Sequence, residues 1–495
     1  MIREISRRKC LRLWLCKPEY MGRTKWENRF VLLRFRKKNY MMFLKDLKRF
    51  KMERLYDKLK AYSESDFYAF HMPGHKRNKA LLGIELPYDL DITEIDGFDD
   101  LHHANGILKE EQERAARVFG AEESHFLVNG STAGILSAVM GCTHRGDKIL
   151  VARHCHKSIY HAIYMNGLVP RYVYPEFDIS MHMNGEISKE DVAKALAAEP
   201  DIKAVVIVSP NYDGVVSDVK GIAEVAHSYR IPLIVDEAHG PHFGFHPAFP
   251  GRANDLGADV VINSLHKTLP SLTQTAILHI NGKLANRRRI KKYLDMLQSS
   301  SPSYIFMASL DACVDFLDGK CEEAFELYVE RLQKFREELK PLQHLQILRT
   351  EHYDISKVVI STANANITSP ELADRLRKEY HLEMEMTGGT YVLAMTTVAD
   401  TQEGLDRLKS ALLEIDDQLE AKTAVSGSIE ISGELPRLEQ YFTPQEAAER
   451  EEDGEAEEIP WKESEGHISL EYAYLYPPGS PVIVPGGSSR TSLLL

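Results

Sequence analysis

The chain has 495 residues, 43% hydrophobic and 27% charged, with 6 cysteines and a formal net charge of -12. That is globular composition, long enough for about three domains, and no apolar run approaches the roughly 20 residues that span a bilayer, which excludes a helical integral membrane protein. Cys10, Cys16, Cys142, Cys155, Cys313 and Cys321 contain no CxxC pair, so a disulfide scaffold and a structural zinc module are both disfavoured and a reducing, cytoplasmic setting is expected.

Taken in chain order, residues 1–52 carry 17 Lys/Arg against 4 Asp/Glu, net +13, which leaves -25 for residues 53–495. So acidic a body repels phosphates, so nucleic acid and anionic membranes are not expected partners, whereas a small cationic molecule is drawn to it. Ser6-Arg7-Arg8-Lys9 resembles an export signal only faintly, because Arg12 and Lys17 interrupt any apolar stretch after it. Residues 1–52 are expected to be a poorly ordered basic extension, or sequence preceding a start near Met52. An N-terminal segment, 53–85, follows it.

From 86 to about 320 the chain alternates short apolar runs with helix-length amphipathic stretches. The runs Phe126–Val128, Lys148–Ala152, Ala204–Val208, Pro232–Val235 and Asp259–Ile262 are apolar nearly throughout. Such runs mark strands covered on both faces, and the alternation predicts an α/β fold with a mostly parallel sheet. Residues 321–425 read as a smaller α+β domain, with a charged helix at Glu323–Leu339, mixed segments at Lys357–Ile367 and Leu382–Met395, and a closing helix at Leu405–Ile415. Residues 426–495 read as an acidic linker and tail. Glu446–Glu465 holds ten acidic residues and is expected to be solvated. The proline-punctuated segment Tyr476–Gly486 is expected to dock as an ordered tail, and Ser488–Leu495 to fray.

Three positions follow predicted strands, where open α/β sheets place ligands. Asn129-Gly130-Ser131-Thr132-Ala133-Gly134 precedes an apolar helical run, and its glycines, hydroxyls and helix N-terminus suit a phosphate. Asp236-Glu237-Ala238-His239-Gly240 ends a strand in a carboxylate. Ser264-Leu265-His266-Lys267 ends the next one in a lysine. Singly, these read as a helix cap, a turn-capping aspartate and a solvated lysine. Together they are the fixtures that pyridoxal 5'-phosphate (PLP) needs: a lysine for the Schiff base, an acid that keeps the pyridine nitrogen protonated, and a cradle for the phosphate. His154, His156, His239 and His242 supply no four-ligand spacing, so no metal is expected.

These motifs, with Phe70-His71-Met72-Pro73-Gly74-His75-Lys76, Asp99-Asp100-Leu101-His102, His156-Lys157-Ser158 and Tyr476-Pro477-Pro478-Gly479, resemble the fold-type-I PLP-dependent Orn/Lys/Arg decarboxylases in their shorter form. The resemblance implies an aminotransferase-like large domain with a mostly parallel seven-stranded sheet, a smaller α+β domain, and at least a homodimer. It implies that Lys267 carries the cofactor, Asp236 pairs with the pyridinium nitrogen and His156 stacks on the ring. Gly130, Ser131, Thr132, Ser264 and His266 would anchor the phosphate, and Ala238 would lie beneath the ring. Glu385 would recognise the distal cation of the substrate, and His239, His266 or Lys267 would protonate the product carbon. The activity implied is decarboxylation of arginine, lysine or ornithine to a di- or polyamine precursor. Transamination or aldol cleavage on the same scaffold, and a catalytically idle PLP-binding regulatory homologue, stay open.

Overall fold

The computed structural model describes residues 54–179, 182–421, 434–460, 463–475 and 479–489. The chain divides into two units, Met1–Met52 and Glu53–Leu495, and every described element belongs to the second. The expected basic extension, Tyr476–Pro478 and residues 490–495 lie outside the described residues.

Seven strands form the main sheet: β1 (Glu123–Leu127), β2 (Lys148–Ala152), β3 (Val169–Val173), β4 (Val205–Val208), β5 (Leu233–Asp236), β6 (Val260–Asn263) and β7 (Ala276–Ile280). Their order is β1-β7-β6-β5-β4-β2-β3. β7 runs antiparallel to both of its neighbours and the other six are mutually parallel, so the sheet is mostly parallel, as expected. β4, β5 and β6 are buried at every position, the consequence of helices on both faces. β1, β2, β5 and β6 therefore end on one edge, and the loops that follow them meet there.

Helix α1 (Gly130–Cys142) follows β1 and carries no charged residue, in keeping with its burial between the sheet and the helix Arg287–Leu297. Gly141 permits that packing, since a Cβ there would lie 2.8 Å from Ile290 Cα. Helix α2 (Lys157–Met165) follows β2, and Leu265–Thr268 adds one helical turn after β6.

A second sheet contains β8 (Gln346–Leu348), β9 (Lys357–Ser361), β10 (Met386–Thr387) and β11 (Tyr391–Met395), antiparallel throughout in the order β8-β9-β11-β10. Side chains alternate along β9. Val358 and Ile360 join the core beneath the helices Glu322–Glu338, Ser369–Tyr380 and Gln402–Asp416. Val359 packs with Val215, Tyr353 and Leu393 on the opposite face, and Lys357 shares that face.

The C-terminal region departs from expectation in two places. Pro444–Glu452 is a helix rather than solvated linker, started by a Thr443/Glu446 capping box with Pro444 in its first turn. Leu438–Gln440 pairs with Gly487–Ser489, so Ser488 is a buried strand residue and not a frayed end. Between these, Ala473–Leu475 pairs with Ser480–Ile483.

Candidate active site

Asp236 is the last residue of β5, in register with Val208 on one side and Ile262 on the other. It is buried, and among the described residues its hydrogen bond comes from the Ala238 N–H at 3.2 Å. Burial pushes its carboxyl up, against the pull of the Lys267 ammonium and that N–H. A buried acid held this way lacks a full cationic partner and fits a protonated ring nitrogen.

Lys267 lies in the helical turn after β6 and is partly buried. Burial pushes its ammonium down, while Asp236 and Glu385 hold it up. Its Nζ lies 2.8 Å from His239 Nε2. His239 is buried, and burial followed by the charges of Lys267 and Lys357 holds its imidazole far below the usual histidine range, so the ring is neutral.

His156 is the N-cap of α2, with Nδ1 2.8 Å from Ser158 Oγ. Burial and then the Lys267 charge lower it to about 4, leaving an uncharged ring able to stack on a π-system. The loop that carries it is clamped by the tail. Lys157 N–H donates to Gly479 O at 3.1 Å, and Ser480 Oγ donates to His154 O at 2.8 Å.

Gly130 has φ +72°, in the left-handed region that glycine favours, and opens α1. Asn129 does not cap this helix, its side chain accepting from Ser299 N–H at 3.0 Å instead. The first-turn N–H groups are thus without a side-chain cap, with Ser131 Oγ in contact with Ser264 Oγ across the gap and Thr132 in the same turn. That donor set fits a phosphate. His266 Nδ1 donates to Thr275 O at 2.9 Å. Glu385 is exposed in the single chain and accepts a hydrogen bond from Tyr212 Oη.

The structure therefore brings Asp236, His239, His156 and Glu385 within electrostatic reach of Lys267, and sets Ser131 against Ser264. Two neighbours escaped sequence reasoning. Tyr212 packs its ring 4.7 Å from that of His239. Lys357 is fully buried, with Nζ 3.2 Å from His239 Nδ1. A lysine opening an otherwise apolar strand was the available signal. Among the described residues no group of three or more His, Cys, Asp or Glu is placed to hold a metal ion, and no helix is long and apolar enough to cross a membrane.

A lysine and a buried acid at neighbouring strand ends of a mostly parallel sheet, beside a hydroxyl-lined helix start, form an α/β site whose donors suit a phosphate and a protonated ring nitrogen. Residues 53–409 match the Orn/Lys/Arg decarboxylase major domain and residues 433–493 the C-terminal domain of the same family. The chain is 34% identical over 448 residues to an arginine decarboxylase of Bacillus subtilis, covering 87% of this chain and 90% of that one. It is 33% identical over 448 residues to an arginine decarboxylase of Halalkalibacterium halodurans, with the same coverage. Its fold is similar to that of the Francisella novicida lysine decarboxylase LdcF, with a TM-score of 0.76 at 19% identity over 92% of this chain and 78% of that one. The chain belongs to the Orn/Lys/Arg decarboxylase family and is a decarboxylase acting on basic amino acids.

Proposed function

We propose that this enzyme is a PLP-dependent arginine decarboxylase producing agmatine. The observation that carries the reading is the convergence on one amine, Lys267, of Asp236, His239, His156 and Glu385 from separate segments of the chain. Arginine is preferred over lysine and ornithine because four relatives at 32–34% identity carry the name arginine decarboxylase, whereas those named lysine decarboxylase are 23–26% identical.

When bound, PLP supplies an electron sink for the pair left behind by departing CO₂. The residues do the rest. Ser131, Thr132 and Ser264, with the N–H groups that follow Gly130 and with His266, hold the phosphate. His156, uncharged, would stack on the ring, and Ala238, small and buried, would leave room for it. Asp236 would accept a hydrogen bond from the ring nitrogen and keep a proton there. Lys267 Nζ would tether the cofactor and, with His239 or His266, would deliver a proton to the product carbon. Glu385, oriented by Tyr212, accepts hydrogen bonds from the guanidinium, whose planar fork matches a carboxylate.

The four described cysteines are free, consistent with a cytoplasmic setting. Exposed Phe67, Tyr68, Phe70 and Met72 support a homodimer, since so dense an apolar run favours cover by another subunit. A panel of arginine, lysine and ornithine, assayed with PLP for amine and CO₂ release, tests the activity. Arginine is expected to give the highest kcat/KM. Release of a keto acid in place of CO₂, or no turnover of any of the three, contradicts the reading.

A further inference from the structure

Lys357 belongs to no motif in the sequence, yet it touches the centre of the site. It opens β9 on the face turned away from the helices, and it is fully buried. A lysine without solvent persists only where its surroundings are built for it. Gly214 is part of that construction: its φ is +105°, and a Cβ there would lie 2.7 Å from Lys357 Cγ. Among the described residues no carboxylate comes within ion-pair distance of Lys357 Nζ. Asp354 is instead bonded to His242 and Ser356, and Asp213 to Tyr391.

The groups facing Lys357 are Asp354 and Tyr353 from its own loop, Asp213 from the turn after β4, Glu385 ahead of β10, and Lys267 and His239 from the main sheet. The two lysines meet the same ring from opposite sides, Lys267 Nζ at 2.8 Å from Nε2 and Lys357 Nζ at 3.2 Å from Nδ1. A neutral imidazole has one donor nitrogen and one acceptor. It can therefore accept from one ammonium while donating to one neutral amine, and it cannot satisfy two ammonium groups together. With one ammonium between the two lysines, only two fully bonded arrangements exist, and they differ by two short proton shifts that carry one positive charge from one lysine to the other.

We propose that Lys357 is a positioning residue that, through His239, holds the proton Lys267 must release to become nucleophilic and regain to act as an acid. In the release direction Lys267 Nζ gives a proton to Nε2 as the Nδ1 proton passes to Lys357 Nζ. Two N–H bonds break, two form, and the net charge of the triad is unchanged. Burial lowers Lys357 to about 8, with Asp354 opposing and Lys267 reinforcing the shift, so its proton is exchangeable near neutrality. The inference rests on the reading of Lys267 as the cofactor-bearing amine.

The test uses the full chain freed of PLP, pulsed with acetic anhydride across a pH series, with acetylation of Lys267 quantified by peptide mass spectrometry. Lys357→Met removes a positive charge and a proton acceptor. It is expected to raise the midpoint for Lys267 by about one pH unit, slowing labelling about tenfold at a fixed pH below the midpoint. Lys357→Arg keeps the charge but releases no proton, so Lys267 should titrate in one narrow step at or below the wild-type midpoint, where the wild type gives a broader curve. A lysine that only fixed structure and charge would hold its proton throughout, and the wild-type curve would then be as narrow as that of Lys357→Arg. An unshifted midpoint in Lys357→Met overturns the proposal. Should that variant fail to fold, the Lys357→Arg curve decides, and superposition on the wild type overturns it. A Lys267→Ala control with added PLP separates the two claims. Survival of the cofactor's visible band there would sink the reading of Lys267, whereas its loss together with unshifted midpoints would sink only the relay.

Discussion

In the proposed function, recognition of the substrate's far end rests on a single carboxylate, Glu385. Glu385 is fixed by the Tyr212 hydroxyl and by its own N–H, which donates to Leu393 O at 3.0 Å. A hydrogen bond to a charged group contributes about 1.5–3 kcal/mol, and the exposure of Glu385 in the single chain favours the lower end of that range. Glu385→Gln is therefore expected to raise KM for arginine about tenfold while changing kcat less. Steady-state kinetics decide the matter, and an unchanged KM would remove Glu385 from the substrate site. Lys267, Asp236 and the Gly130–Thr132 turn were legible because each follows an apolar strand. Lys357 and Tyr212 were not. Their role depends on the second sheet meeting the main one, a long-range contact with no local pattern.

At the level of elements, the C-terminal strands reach the site through Arg153. This fully buried guanidinium donates to Val482 O at 2.9 Å, also bonds Pro481 O, and lies 3.1 Å from Tyr160 Oη. The strand it holds is the one whose Ser480 and Gly479 clamp the loop of His156. Arg153→Met leaves two buried carbonyls short of donors, at about 1–3 kcal/mol each. The expected outcome is a lower thermal midpoint together with lost hydrogen-exchange protection in 480–484. Unchanged exchange there would show that the tail is held by other contacts.

The same scale shows what elements the sequence concealed. β3 was missed because Pro170 and Arg171 break its apolar run, as an edge strand tolerates. β7 was missed because buried His279, bonded to Ser124, interrupts it. The helix Pro444–Glu452 had a legible Thr443/Glu446 capping box, which the surrounding acidic count outweighed. The parallel strands carrying the site were readable because burial on both faces demands apolar residues at every position.

For the whole molecule, two buried acids tie stability to pH. Burial raises Glu237 to about 8, against hydrogen bonds from Asn263 Nδ2 and Ala253 N–H. Burial and the neighbouring Asp311 also push Glu111 up, against Arg114. In the unfolded chain a glutamate titrates near 4.3. Between that value and about 8 the folded state binds more protons than the unfolded one, so stability is greatest below the lower value and falls as pH rises through the window. Glu237→Gln removes one titrating group, and its thermal midpoint is expected to decline less from pH 5 to pH 8 than that of the wild type. Parallel declines would place the pH dependence elsewhere.

The proposed activity depends on one covalent attachment, that of PLP to Lys267. Borohydride reduction of the PLP-loaded enzyme, followed by peptide mapping, reads it directly. The pyridoxyl mass is predicted on the peptide carrying Lys267 and on no other lysine. Its appearance on Lys357, or on neither residue, would contradict the assignment of the site.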